Sequence, residues 1–221
     1  MDITRDEDIV AVVDRITADR GGVDVLVNNA GFGLYGAIGD TTADDARHQF
    51  EVNLFGPARP TRSVLPYMRE RGSGRIVNVS SVGGRMYTPL GGWYHATKYA
   101  LEGWSDCLRL ELAPFGIDVV VEPGLIETEF GDVMVELLLA RSGSSAYAGM
   151  ARWVADATRL NYEPGKGSPA SVPAQVIVRA LAARRPRTRY AVGKYARTLI
   201  TLRGLLSDRA FDHVVTGAAR S

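Results

Sequence analysis

Three short apolar runs limit what this chain can fold into more than any other feature. They are Val23-Asp-Val-Leu-Val-Asn28, Arg75-Ile-Val-Asn-Val-Ser-Ser81 and Ile117-Asp-Val-Val-Val-Glu122. Each is rich in β-branched residues, too short for a helix and apolar almost throughout, the pattern of a strand covered on both faces of a parallel sheet. Helical patterns separate them. Thr4 to Arg20 carries Ile9, Val12, Val13 and Ile16 as a stripe and ends at Gly21-Gly22, a common helix stop. Ala43 to Arg71 turns Phe50, Leu54, Val64, Leu65 and Met68 inward, with Pro57 and Pro60 expected to bend or interrupt it. Tyr94 to Phe115 carries Leu101, Trp104, Leu108 and Leu112. Alternating strands and helices predict an α/β fold, a parallel sheet with flanking helices, as one domain over residues 1–221.

The last third is less regular. Residues 125–167 read as an insertion facing the ligand edge of the sheet, a possible substrate lid. Within it Val133 to Leu139 is a helical run, followed by Ser- and Gly-rich residues 142–149. Ser168 is expected to cap a helix that ends near Arg185, and Thr188 to Val192 to form a last strand. Leu199 to Leu206 and Ala210 to Val215 predict terminal helical turns. The cluster Arg184, Arg185, Arg187 and Arg189 reads as a solvated helix end and not as a nucleic-acid patch.

Candidate chemistry gathers where the strands stop. The first ends in Asn28-Asn29-Ala30-Gly31, small residues that let a ligand approach the backbone. Asn53 sits between Val52 and Leu54, where an amide must find partners: it is either a satisfied core group or a holder of water near the site. The second strand ends on Ser81, and a Gly-rich loop leads to Tyr94 and Lys98. Four residues apart on a helix, phenol and ammonium share one face with Cβ atoms about 5–6 Å apart. A strand-end serine facing such a pair suits proton transfer to a carbonyl oxygen. Of 26 Lys and Arg only Lys98, Lys166 and Lys194 are lysine, so the choice of a compact ammonium here is informative.

Other classes are argued against. A net charge of +1 does not favour a dominant nucleic-acid or anionic-membrane partner. His48, His95 and His213 have no metal-ligand spacing. The lone Cys107 forms no internal disulfide and, with no signal peptide or long apolar stretch, predicts a cytoplasmic protein without a membrane span.

Taken together, Asn28-Asn29-Ala30-Gly31, Asn53, Ser81, Tyr94-x-x-x-Lys98 and Pro123-Gly124-x-x-x-Thr128 resemble the short-chain dehydrogenase/reductase family, in order and spacing from Asp2 through Thr128. Ser81 stands thirteen residues before Tyr94, as the catalytic serine of that family does. The resemblance implies a Rossmann-like fold and hydride transfer between NAD(P) and an alcohol or carbonyl. Tyr94 would be the acid or base, Ser81 would hold the substrate oxygen, Lys98 would bind the nicotinamide ribose and support Tyr94, and Asn53 would anchor water. Asp2, Ile3, Asn29, Ala30 and Gly31 would line the adenosine side, and Pro123, Gly124, Ile126 and Thr128 the nicotinamide end. The tyrosine, about 10 when free, would have to titrate nearer neutrality.

The family's Gly-rich pyrophosphate turn has no counterpart here. By that resemblance the chain is N-terminally truncated by two strand–helix units, roughly 60 residues. Asp2-Ile3 would be the end of the family's third strand, and Val23 to Asn28 would lie on a sheet edge. An upstream start is expected, the alternative being a remnant that needs a partner: an inactive pseudoenzyme or a structural subunit without cofactor. NAD and NADP are not distinguished, with NADP slightly preferred. A small-molecule, apolar substrate and a homo-oligomer complete the expectation.

Overall fold

A computed structural model of the chain describes residues 1–116, 119–123, 126–127, 129–163 and 165–217; for 119–123 and 127 it describes the backbone only. Helix α1 (Asp6–Arg20) leads into β1 (Val25–Asn28), and α2 (Ala43–Phe50) and α3 (Gly56–Arg71) precede β2 (Arg75–Val79). Helix α4 (Gly92–Leu112) joins β2 to β3 (Val119–Pro123), after which come a short β4 (Ile126–Glu127), α5 (Phe130–Ser142) and α6 (Ala148–Tyr162). The chain finishes with β5 (Ser168–Pro169), α7 (Ser171–Ala182), β6 (Arg189–Val192), α8 (Ala196–Leu205) and α9 (Asp208–Thr216). The main sheet runs β1-β2-β3-β6 with every pair parallel, as the apolar runs predicted. Ile76 and Val77 of β2 are fully buried, Ile76 among Val64, Met68, Leu108 and Leu112 and Val77 against Ala180 and Val192. Among the described residues no helix is long and apolar enough to cross a membrane.

Strand β1 is an edge of this sheet, as expected, and Val25 and Val27 on one face of it are 42% and 40% exposed. Three other expectations need correction. Asp2 and Ile3 form no strand: Asp2 accepts from the Thr4 amide and hydroxyl in a turn before α1, and Ile3 rests against Gly56. Ser168 caps no helix. It pairs with Ile126 in β4, and its hydroxyl accepts from the Lys194 amide. Helix α4 stops at Leu112, and Phe115 lies in a turn. The helix over 43–71 is interrupted, as expected, but just ahead of the prolines, by a π-turn at Glu51–Phe55 where the Gly56 amide reaches the Glu51 carbonyl five residues back. Pro57 and Pro60, which bring no N–H to the ladder, follow immediately.

Arg75, at the start of β2, holds the opposite end of the sheet together. Its guanidinium donates to the carbonyls of Ala180, Leu181 and Ala183 at 2.7, 2.5 and 2.5 Å, closing the last turn of α7. Those carbonyls have no helical donors, and a cation suits the negative end of the helix. Arg75→Met should lower stability by about 2 kcal/mol through loss of these charge-assisted bonds. Urea unfolding checks this, and a change under about 0.5 kcal/mol would leave the cap without energetic weight.

Candidate active site

The carboxyl ends of β1 and β2 are joined by buried amides. Asn28 Nδ2 donates to Asn78 Oδ1 (2.8 Å) and to Thr61 Oγ1 (3.1 Å), and Asn78 Nδ2 donates to Ser105 Oγ (2.9 Å). Four elements are thereby held in one register, and none of these groups can drift without leaving a buried polar atom unpaired. Sequence reasoning missed this ladder, although an asparagine inside each of the first two apolar runs was its signal.

Asn53 is 1% exposed and lies on the π-turn. Its side chain accepts from the Phe32 amide (3.1 Å) and donates to the Phe32 carbonyl (2.9 Å) and to Thr97 Oγ1 (3.1 Å). Four residues earlier, Gln49 Nε2 also donates to the Phe32 carbonyl and its Oε1 accepts from the Leu34 amide. The loop after β1 is therefore fastened through two side-chain amides, of which only Asn53 was foreseen. Asn29, Ala30 and Gly31 precede this clamp and are exposed. A Cβ built on Gly31 would lie 3.1 Å from Asn53 Oδ1 and 3.7 Å from Lys98 Nζ, so this backbone borders the same space as the lysine.

Ser81 ends the extended run and caps a single 3₁₀ turn (Val82–Gly84), its Oγ accepting from the Gly83 amide at 3.0 Å. Tyr94 and Lys98 lie one turn apart on α4 and are 7% exposed each. Burial chiefly pushes the Tyr94 phenol well above its ordinary range; the Tyr35 phenol adds to this, a hydrogen bond with Ser81 opposes it, and Tyr162 adds a little more. The expected fall towards neutrality is thus reversed by the chain's own groups, because α5, α6 and Tyr35 exclude water from the ring. Lys98 donates to the Val79 carbonyl at 3.2 Å, and burial lowers it to about 8 against the opposing pull of Glu102.

His95 joins the Ser81 loop to α4. Its Nε2 accepts from the Thr88 amide at 3.0 Å, and its Nδ1 stands 2.9 Å from the Gly83 carbonyl, so the tautomer these partners require carries the proton on Nδ1. Burial lowers its pKa, with the Gly83 carbonyl opposing. The sign follows from the unfolded chain, which takes up a proton below about 6.5 while the folded chain resists it. Stability from neutral His95 is therefore complete above about 6.5 and is lost as pH falls through the lower folded value. Urea midpoints at pH 7 and 5 should differ more for the parent than for His95→Asn, and equal differences would exclude His95 as the source. The other histidines, His48 and His213, are exposed.

Helices α5 and α6, within residues 125–167, lie directly over Tyr94. Met134, Val135, Leu138, Ala151, Val154 and Ala155 form one buried cluster with Tyr35 and Tyr94. Phe130 stands with its ring centroid 5.7 Å from that of Tyr94. Val133, Tyr147 and Met150 of the same segment are exposed. Tyr162, at the end of α6, is pushed up to about 12 by burial and by Tyr35. Pro123 ends β3 opposite Val192, and Ile126 is half-buried in β4. Gly124 and Thr128 lie outside the described residues. Asp2 and Ile3 make no contact with this cluster in the interactions described for them.

The chain is similar in sequence and fold to known proteins. The sequence profile described as short chain dehydrogenase matches residues 1–136. A 3-ketodihydrosphingosine reductase of Bacteroides thetaiotaomicron is 42% identical over 133 residues, 60% of this chain and 49% of that protein. The 17-beta-hydroxysteroid dehydrogenase type 1 of Homo sapiens is 34% identical over 224 residues, 100% of this chain and 66% of that one. A solved short-chain dehydrogenase from Streptomyces avermitilis superposes with a TM-score of 0.76 at 37% identity, over 100% of this chain and 78% of its own. The chain thus spans from about half to about four-fifths of the proteins it matches. With the family profile over more than half of its length and Ser81, Tyr94 and Lys98 gathered at the ends of a parallel sheet, the chain belongs to the short-chain dehydrogenase family, a family of oxidoreductases.

Proposed function

We propose that the protein interconverts a carbonyl and an alcohol on an apolar small molecule, with NAD or NADP as hydride carrier. One observation carries this reading: a buried phenol held in its protonated state beside a serine hydroxyl and a lysine, at the carboxyl edge of the sheet. The nicotinamide supplies or accepts the hydride when bound. The residues present fit its sugar end. Lys98 spends one of its three N–H donors on the Val79 carbonyl, which leaves donors for ribose hydroxyls beside the open backbone of Asn29 to Gly31. The N-terminus of α1 carries Asp6, Glu7 and Asp8 in its first turn and does not suit a phosphate. Gly124 and Thr128 keep their proposed place at the nicotinamide end on resemblance.

Tyr94, neutral in its own surroundings, donates its proton to the substrate oxygen as a hydroxyl forms. Ser81 donates to the same oxygen and sets its position, an electrostatic role. The ammonium of Lys98 then stabilises the phenolate, and Asn53, by holding Phe32 against Thr97, keeps the lysine side of the site in place. Because Tyr94 and its neighbours are closed over by α5 and α6, these helices act as the substrate lid and move aside for entry. The lid's inner face, Phe130, Met134, Leu138 and Trp153, favours a lipophilic substrate over a polyol. The similarity to a 3-ketodihydrosphingosine reductase and to a 17-beta-hydroxysteroid dehydrogenase points the same way. We place the protein in the cytoplasm as a homo-oligomer, an arrangement that would cover the exposed edge at Val25 and Val27.

That edge also favours a second reading, a non-catalytic subunit completing another chain's sheet. Titration of the protein with NADH and NADPH, followed by turnover with long-chain ketones, steroid ketones and sugars, separates the two. Saturable cofactor binding with preference for the lipophilic ketones supports catalysis. Preference for sugars overturns the substrate class, and binding of neither cofactor assigns the structural role.

A further inference from the structure

A second concavity, of about 740 Å³, opens among the described residues between α7, β6 and α8. Five arginines line it: Arg85 from the loop after Ser81, Arg179 of α7, Arg187 and Arg189 at the start of β6, and Arg197 of α8. No acidic side chain among the described residues lines it, although the chain has 25 Asp and Glu and a net charge of only +1. The positive charge here is therefore local and does not reflect a basic protein.

The five do not have equal surroundings. Arg189 turns to Glu102 (2.9 Å) and Asp106 (2.6 Å), and Arg85 is also engaged. Arg179, Arg187 and Arg197 are exposed and have no carboxylate partner among the described residues. Three such charges around one small cavity repel one another over distances comparable with the screening length of about 8–10 Å at moderate salt, unless an anion joins them. Two arginines elsewhere are held by groups of the chain itself. Arg75 takes three carbonyls and Arg141 takes Asp45. The guanidinium fork matches the oxygens of a phosphate, and Val176, Val192 and Ile200 give the cavity an apolar wall. Its volume lies within the range for small-molecule sites, about 300–1,000 Å³. It shares no lining residue with the Tyr94 cluster.

We propose that this concavity binds a phosphate-class oxyanion, free or as a small organic monoester, through Arg179, Arg187 and Arg197. The inference is independent of the chemistry assigned to Tyr94. Arg85 also makes the site continuous with the loop that carries Ser81, since it directly follows the 3₁₀ turn.

The full chain, with the side-chain N–H signals of its arginines followed by NMR, is titrated with inorganic phosphate, phenyl phosphate and benzoate at constant ionic strength in chloride. Saturable shifts with phosphate, at least tenfold tighter than with benzoate, are expected. Tighter binding of phenyl phosphate assigns a monoester as occupant, and equal binding assigns free phosphate. The triple variant Arg179→Gln, Arg187→Gln, Arg197→Gln should bind phosphate at least tenfold more weakly with its thermal midpoint little changed. Should the triple variant fail to fold, Arg179→Gln and Arg197→Gln singly should each weaken binding about threefold. Phosphate binding no stronger than chloride, or unaffected by these substitutions, overturns the proposal.

Discussion

Tyr94→Phe is expected to lower kcat/KM by about 10³-fold, near the middle of the range for a positioned general acid. The fold should hardly respond. The ring keeps its packing on Tyr35, Phe130 and the α5–α6 cluster, and Ser81 keeps the Gly83 amide as a partner. Because burial holds the phenol in its neutral form, the substitution removes a hydroxyl and no charge. Steady-state rates on the preferred ketone, beside urea unfolding of the same variant, test both parts. Activity above a tenth of the parent's would remove Tyr94 from the chemistry. Lys98→Arg should also be severe, since a guanidinium must fit where a compact, 7% exposed ammonium now meets the Val79 carbonyl.

Gly84→Ala should be nearly as damaging, by a different route. A Cβ at Gly84 would fall 2.8 Å from Glu102 Cγ and 2.9 Å from the Lys98 carbonyl oxygen. The oxygen belongs to the helix backbone and cannot swing aside, so the Ser81 loop must lift from α4. Overpacking of this kind costs about 1–3 kcal/mol. The larger consequence is kinetic. Displacing Ser81 by about 1 Å from a phenol fixed on α4 can cost about 10²-fold. Gly103, on the same helix with open space around it, is the control: Gly103→Ala should stabilise by about 0.5–1 kcal/mol with activity retained. Equal effects of the two substitutions would show that the loop does not depend on this close approach.

The parallel sheet was legible because a β-branched run covered on both faces leaves little choice of structure: β1 and β2 fall inside their predicted runs, and β3 overruns its own by one residue, Pro123. The pairing of Tyr94 with Lys98 was legible because helical spacing alone puts them on one face. Tertiary groups were not. Arg75 looks like any polar residue at the start of a strand until the carbonyls of α7, about a hundred positions away, are brought to it. His95 reads as the residue after a catalytic tyrosine, and its role depends on Thr88 and Gly83 folding back over the helix. The direction of Tyr94's titration needed the lid: spacing supplied the nearby ammonium, whereas burial by α5 and α6 decides the outcome. Ser168 was misread because a serine before a helical run favours a cap, and local preference yielded to pairing with Ile126.

The π-turn at Glu51–Phe55 also bears on how sequences of this kind can change in length. It holds one residue more than an α-helical turn, so deleting any one residue there would restore the regular four-residue ladder from α2 into α3. The repair would also shift the register of α2 against α3 by one residue. Gln49 and Asn53, which now both reach the Phe32 carbonyl from opposite sides of that seam, could no longer do so together. Insertions and deletions should therefore be tolerated in the Ser- and Gly-rich connection at 142–149 and absent at 51–55, where a more regular helix would leave the loop after β1 without its clamp.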